Sequence, residues 1–594
     1  MKTAINEIRG YSDKFKQNLL QYVLLLLSLD LFNQIIIIPL FRYVTTFVLQ
    51  AGAIPFVSYQ NVVTIITTNT LVFVTLIIEL ILLLIVIYAQ FAFLLLSIKA
   101  IDNQDFHLGD IFKQTWQRIK KIRAGSVLLL TAYFLLIMPF ADIVFRTPLL
   151  SKIQIPEFIL DYMTRSPILL GILIAAYIII FVMGIRLILT LPIMIFQEKK
   201  TWSAMKASWQ ATKNWNWWKI LSRLLILAII SMIILAVFYI AIYLFQILWD
   251  LLPGKFSWFM AIVNLSLIQI GSELVMIWAM IIAFLILFAP LKLKYDKNSQ
   301  KHFSAKTIVF TSILALLLTA GSVATNILYI NGTNSKGPVT VSHRGVNDKN
   351  GVQNTIPALK KTAKLKPDYV EIDLHETKDK QFVVLHDESL EELTGVRKLP
   401  SQLTLKELTK LTAKENGHEA KIASFDQYLA AAQKLHQKLL IEIKTTPKDS
   451  KKILQRFNKK YGQTIIKNKY QVQSLDYRVI EGLHEINPKL FVLYIQPYNF
   501  TYPHSVADGY SMEYSTLNSD FIWQAHAEDH PVYAWTINDE KLMKQMCYDQ
   551  VDGIITDRLS MAKKAIRDFQ DNSNHANRIL NYIMVLPTRS ELEV

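Results

Sequence analysis

The chain has 594 residues, 52% of them hydrophobic and only 19% charged, with a formal charge of +16. That balance is more apolar than an ordinary soluble chain and points to a membrane class. The single cysteine, Cys547, excludes an internal disulfide, so an exported domain must rely on its core for stability.

The apolar excess is confined to the first 330 residues, where it comes in long uncharged runs. Lys2, Arg9, Lys14 and Lys16 precede the first run, residues 19–40. That run exceeds a signal-peptide core, so it reads as an uncleaved anchor. A helix needs about 20 apolar residues to cross a bilayer, because lipid cannot satisfy exposed backbone groups. Seven runs meet that length: residues 19–40, 70–98, 126–145, 166–196, 219–248, 258–290 and 306–330. The stretch 43–68 is moderately apolar and leaves room for a re-entrant or extra span.

Basic residues alternate between the loops. The N-terminus, the second loop (Lys99, Lys113, Arg118, Lys120, Lys121, Arg123), the fourth (Lys199, Lys200, Lys206, Lys213) and the sixth (Lys292, Lys294, Lys297, Lys301) are rich in them. The odd loops hold fewer: Arg42, then Arg146, Lys152 and Arg165, then Lys255. Cytoplasmic loops are the basic ones, so the N-terminus is expected in the cytoplasm and, after seven spans, the C-terminal half outside the cell membrane. Charge placed this way serves topology and contact with anionic membrane lipids, and does not argue for nucleic acid. Lys113-Gln114-Thr115-Trp116-Gln117 and Lys206-Ala207-Ser208-Trp209-Gln210 share a Lys-x-x-Trp-Gln pattern before a long apolar run. Each reads as an interfacial helix, and the pair hints at an internal repeat. Asp30, Glu79, Asp142, Arg186 and Glu273 stand inside spans, where they either line a pathway or pair within the bundle.

A polar, turn-rich linker, 331–338, leads to a different pattern over 339–570, with a C-terminal tail expected over 571–594. Short β-rich runs occur at 339–343, 369–375, 382–386, 439–444, 471–474, 491–496, 510–514, 532–537 and 553–556, with helical stretches such as 355–365, 425–436 and 450–461 between several of them. This alternation is that of an α/β (β/α)8 TIM-type barrel. The 369 and 382 runs are joined only by a short Lys378-Asp379-Lys380 turn, too short for a parallel crossover, so they are expected to pair antiparallel or to include an accessory strand.

Chemistry-bearing residues gather at strand ends, where barrel enzymes build their sites. His343-Arg344-Gly345 closes the first run, Glu371-Ile372-Asp373 lies in the second, His386-Asp387 ends the third and Glu442-Ile443-Lys444 ends the fourth. Alternation puts Glu371 and Asp373 on one face, while Val370, Ile372 and Leu374 occupy the other. Carboxylates suit a hard cation, the cations a phosphodiester, and the histidines proton exchange with attacking and leaving oxygens. His375 shares the Asp373 face and reads as a partly exposed rim histidine; Trp535 either stacks on substrate or fills the barrel.

These motifs, with Gln353-Asn354-Thr355, Thr377-Lys378-Asp379, Trp535-Thr536-Ile537-Asn538 and the segment from Asp552 to Arg558, occur in the order found in the glycerophosphodiester phosphodiesterase family. The C-terminal half resembles that family closely, and the whole chain resembles its branch with an N-terminal multi-span domain. The resemblance implies hydrolysis of a glycerophosphodiester to glycerol phosphate and an alcohol. It implies Glu371, Asp373 and Glu442 as ligands of a divalent cation, Ca²⁺ or Mg²⁺, His343 and His386 as acid and base, and Arg344 and Lys444 on the phosphate. The mechanism it implies has the substrate glycerol hydroxyl attack phosphorus before water opens a cyclic ester. Where the family usually has Glu, this chain has Gln353. The substrates that fit are lipid headgroup diesters and polyglycerol-phosphate polymers. The competing reading is a transporter or sensor whose barrel binds phosphodiesters without efficient turnover. Oligomeric state is not legible.

Overall fold

A computed structural model describes residues 2–52, 54, 57, 62–122, 124–137, 157–164, 166–293, 319–331, 337–498, 502–571 and 574–585. Among the described residues, five helices are long and apolar enough to cross a membrane: Leu19–Ala51, Thr70–Asp102, Pro167–Phe196, Asn216–Trp249 and Gly254–Leu291. They coincide with five of the seven expected runs. The third run is helical over Ala124–Ile137 and the seventh over residues 319–331. The remainder of both, Asp142 included, lies outside the described residues. The first helix continues to Ala51, so part of the 43–68 stretch extends an existing span, and the Val62–Thr68 helix of 7 residues is too short for another.

The two ends of the bundle differ. At one end lies the amphipathic Lys2–Gln17 helix, burying Ala4, Ile8 and Phe15. Its Glu7 accepts from Arg223 Nη2 at 2.8 Å, near the start of one span, and Lys14 meets Asp102 at 2.9 Å, at the end of another. The Leu108–Ile119 and Thr201–Ala211 helices lie at the same end: Arg118 Nε donates to the Ile195 carbonyl at 2.8 Å. Both are short helices, with Lys120 over the Trp116 ring and Arg186 over Trp209. The two Lys-x-x-Trp-Gln patterns thus each lie on a short helix at this end of the bundle. Two of the in-span charges have hydrogen-bond partners nearby. Arg186 donates to the Thr212 and Trp209 carbonyls at 2.6 Å, and Thr45 donates to Glu79.

The barrel sits at the opposite end. Its parallel strands are β1 (Val339–Ser342), β2 (Tyr369–Glu376), β6 (Leu439–Ile443), β7 (Gln471–Ser474), β8 (Val492–Gln496), β9 (Gly509–Glu513), β10 (Val532–Trp535) and β11 (Gly553–Thr556). The ring closes because β1 pairs with both β2 and β11 (Val341 beside Tyr369, Val339 beside Gly553). Outward residues such as Val370, Ile372, Ile441 and Ile443 pack against the helical ring, while Val341, Leu440, Leu493, Tyr533 and Ile555 fill the interior. Helix starts are fixed by side-chain caps: Ser424 with Gln427 in a reciprocal capping box, and Asp476, Asn518 and Asp539. β3 (Phe382–Val384) runs antiparallel on β2 with Leu374 opposite Val384, as the short turn requires. Between β3 and the Phe425–Lys434 helix the chain builds an insert with its own small core, including Leu385, Leu390, Leu408 and Ile422. The insert contains a hairpin, β4 (Thr412–Glu415) and β5 (His418–Lys421), that the strand pattern did not anticipate.

Part of the expected tail is helical. Residues 571–594 include a helix, His575–Val585, wedged between the barrel and the membrane helices. Ala576 is buried, and Ile579 and Tyr582 pack in one cluster with Ile262, Leu265 and Ile268. The Tyr582 ring also lies 5.8 Å from Tyr548 of the barrel. Asp250, just past a span, accepts from the Ala576 N–H at 2.8 Å, so the cap comes from another part of the chain. A capping contact stabilises by about 1 kcal/mol. Asp250→Ala should therefore speed amide exchange across 575–585 roughly fivefold and leave the barrel strands protected; unchanged exchange there would remove Asp250 as the anchor.

Candidate active site at the barrel mouth

The strand register explains how distant residues meet. Asp373 of β2 lies directly beside Glu442 of β6 in the parallel ladder, and Glu371 points inward two residues earlier. One oxygen of each of the three lies within 4.8 Å of the others, and all three side chains are buried. Lys444, in phase with Glu442, places Nζ 2.8 Å from Glu442 and 3.2 Å from Asp373.

The first turn locks onto this cluster. Arg344 and Gly345 both have positive φ, 50° and 69°. This places the Arg344 N–H on Glu371 Oε2 at 2.7 Å. A Cβ on Gly345 would meet the Tyr428 hydroxyl at 2.8 Å, so the turn requires glycine on two counts. Asn354, also left-handed at φ 58°, donates its amide to Asp373 at 2.8 Å and accepts the Asp373 N–H. The Arg344 guanidinium is held on two sides: Nε donates to His343 Nε2 at 3.2 Å, and Nη1 to Gln353 Oε1 at 2.7 Å.

Each histidine is oriented by a carboxylate. His343 Nδ1 lies 2.8 Å from Asp557, which is itself bound by the Asn538 amide at 2.8 Å. Because Arg344 donates to His343 Nε2, the neutral ring carries its proton on Nδ1. His386 Nδ1 lies 2.7 Å from Asp387. His375 is not a rim residue: it is 3% exposed, and Nε2 sits 3.0 Å from the His386 carbonyl, bracing that backbone. Trp535 ends β10 at the same end of the barrel, half-buried on the interior layer, with Nε1 donating to the Ser511 carbonyl at 2.9 Å. Asp387, Asp557 and Asn354 stand within the sequence motifs, but nothing in the sequence gave them a role.

The electrostatics follow from burial. Burial raises the Glu371 carboxyl, and Asp373 and Glu442 raise it further, so it sits well above the ordinary value despite the Arg344 N–H. Burial opposes Asp373 as well, but Lys444, His386, Arg344 and the Asn354 amide together hold it well below. Burial also lowers Lys444, yet Glu442 and Asp373 outweigh it and keep the ammonium charged. Burial pulls His386 down to about 4, with Asp373 opposing and Lys444 assisting. Three buried carboxylates whose oxygens converge, one of them strongly disfavoured as an anion, form a donor set of the kind a hard divalent cation takes.

Residues 8–322 match the family described as the membrane domain of glycerophosphoryl diester phosphodiesterase, and residues 343–561 match the glycerophosphoryl diester phosphodiesterase family. YhdW of Bacillus subtilis, named as a candidate glycerophosphodiester phosphodiesterase, is 28% identical over 228 residues, 36% of this chain and 93% of that protein. The glycerophosphodiester phosphodiesterase of Caldanaerobacter subterraneus is 25% identical over 228 residues, covering 37% and 93%. A solved glycerophosphodiester phosphodiesterase from Parabacteroides distasonis is 25% identical with a TM-score of 0.34, covering 39% of this chain and 97% of that one.

A carboxyl whose folded-state value is raised binds more protons folded than unfolded, so its ionised form costs stability as pH rises. Glu371→Gln removes that cost and keeps an acceptor for the Arg344 N–H. With divalent cations removed, the thermal midpoint at neutral pH should rise by a few degrees; a fall would contradict the assigned repulsion.

Proposed function

The chain belongs to the glycerophosphoryl diester phosphodiesterase family, phosphoric diester hydrolases, in the branch with a membrane domain, and we propose that its barrel hydrolyses glycerophosphodiesters with a divalent cation at the outer face of the membrane. The observation that carries this reading is the buried Glu371, Asp373 and Glu442 cluster in a barrel mouth that also gathers two carboxylate-oriented histidines. Ca²⁺ or Mg²⁺ held there by the three carboxylates would supply positive charge to neutralise the diester and acidify an oxygen. Arg344 and Lys444 bind the phosphate oxygens. Asp557 and Asp387 hold Nδ1–H of His343 and His386; this leaves Nε2 of His386 to exchange a proton, while Nε2 of His343 accepts the Arg344 Nε–H at rest and must release it before exchanging one. One histidine takes the proton of the attacking glycerol hydroxyl and the other protonates the departing alcohol; water then opens the cyclic ester to glycerol phosphate. Trp535 packs beside the alcohol.

The outward orientation draws support from charge. Basic residues concentrate at the end of the bundle opposite the barrel, which corresponds to the cytoplasmic side. Membrane-derived substrates draw support from the rim. Arg42 of the first span pairs with Asp520, in the first turn of the helix that follows β9 and hence on the mouth side. Trp523 on the same helix is 72% exposed. Lipid headgroup diesters and polyglycerol-phosphate polymers are both within reach of such a mouth. A transporter reading would need charges lining a path, whereas Arg186 donates to the Thr212 and Trp209 carbonyls and Glu79 accepts from Thr45.

The full chain in detergent should hydrolyse glycerophosphodiesters and stop in excess chelator. His343→Ala and His386→Ala should each lose roughly 10²- to 10⁴-fold in turnover. Undiminished activity in either variant, or in chelator, would overturn the corresponding assignment. Because Cys547 is buried, orientation can be read from added thiols. Lys489→Cys should react with an impermeant maleimide on intact cells and Lys199→Cys only after permeabilisation; the reverse pattern would place the barrel inside.

A further inference from the structure

Glu415, at the end of β4 in the inserted hairpin, reaches the site through one residue. Its Oε2 accepts the Gln353 backbone N–H at 2.8 Å and its Oε1 accepts the Gln353 side-chain amide, Nε2, also at 2.8 Å. A carboxylate has no proton to give, so this contact fixes which way the Gln353 amide faces: nitrogen toward Glu415, oxygen toward Arg344. That oxygen accepts Arg344 Nη1 at 2.7 Å. With Nε committed to His343, the guanidinium is pinned at two donors, and its remaining N–H groups are left for a phosphate oxygen. A carboxylate at position 353 would instead face that of Glu415 across the same hydrogen-bond distance.

We propose that the inserted hairpin contributes a positioning residue: Glu415, acting through the oriented Gln353 amide, sets the Arg344 guanidinium for the substrate phosphate. This rests on the hydrolytic reading above. Neutral Gln353 leaves the full charge of Arg344 to the diester, and the negative charge stands one residue further out, on the insert. Position 353 and the hairpin are therefore coupled: glutamine at 353 suits a chain that presents Glu415, and glutamate at 353 suits one that does not.

The test is a cycle of Glu415→Gln, Gln353→Glu and the double variant in the full chain, with Glu419→Gln on the exposed side of the same hairpin as control. Glu415→Gln should raise KM about tenfold with little change in kcat, since it loosens phosphate positioning and not proton transfer. Gln353→Glu should lose at least tenfold in kcat/KM. The double variant, in which amide and carboxylate exchange places, should return to within about threefold of the starting enzyme. Glu419→Gln should match it throughout. Losses that multiply in the double variant, or a Glu415→Gln enzyme with unchanged KM, overturn the coupling. If the unsubstituted chain does not hydrolyse the diester at all, the hydrolytic reading falls, and this inference with it.

Discussion

Three carboxylates that cannot comfortably all be charged in one buried place are the constraint on which the rest of this barrel depends. Glu371, Asp373 and Glu442 are brought together by strand register, and each is then supported by a different device. Glu371 has the N–H of a left-handed turn, Asp373 has the Asn354 amide, and Glu442 has Lys444. The supports do not cancel the cost. Asp373 is driven down by its neighbours while Glu371 is driven up, the outcome expected when like charges share a low-dielectric site without enough countercharge. The positive φ of Arg344 is the backbone strain that accompanies this cluster, and Gly345 lets the turn continue in the left-handed region without adding to it.

The histidines and cations are arranged outward from that cluster. Asp557 comes from the end of β11 and Asp387 from the residue after His386, so two unrelated segments supply the same orienting contact. His375, buried beneath, braces the His386 carbonyl. At the scale of the whole chain, the C-terminal helix and the Arg42–Asp520 pair join the barrel to the membrane helices on different sides, so the mouth is fixed relative to the bundle by more than the linker.

Much of this was legible because period-2 alternation survives in short strands: Val370, Ile372 and Leu374 face out while Glu371 and Asp373 face in, and the β2–β3 turn is too short for anything but a hairpin. The long spans were legible from length and charge alone. What escaped reading has physical reasons. His375 has the same sequence appearance whether it lines a rim or a backbone carbonyl, since only tertiary structure supplies the His386 oxygen. The His575–Val585 helix carries its buried face on only 11 residues, and its cap, Asp250, lies more than 300 positions away. The β4–β5 hairpin did leave a signal. Asn416-Gly417 is a two-residue turn with φ of 52° and 75°, the pairing that favours a tight hairpin. Its strands, Thr412–Glu415 and His418–Lys421, are too polar to register as β by hydrophobic alternation. Glu415 was therefore invisible as a site neighbour, although Gln353 was already noticeable as a departure.

The buried cluster of Glu371, Asp373 and Glu442 is proposed as a cation site. Calorimetric titration of the purified full chain with Ca²⁺ and with Mg²⁺ tests it most directly. One bound ion per chain is expected for at least one of the two, with loss of that binding in Glu442→Gln. Absence of binding by both ions, or binding that Glu442→Gln leaves intact, would contradict it.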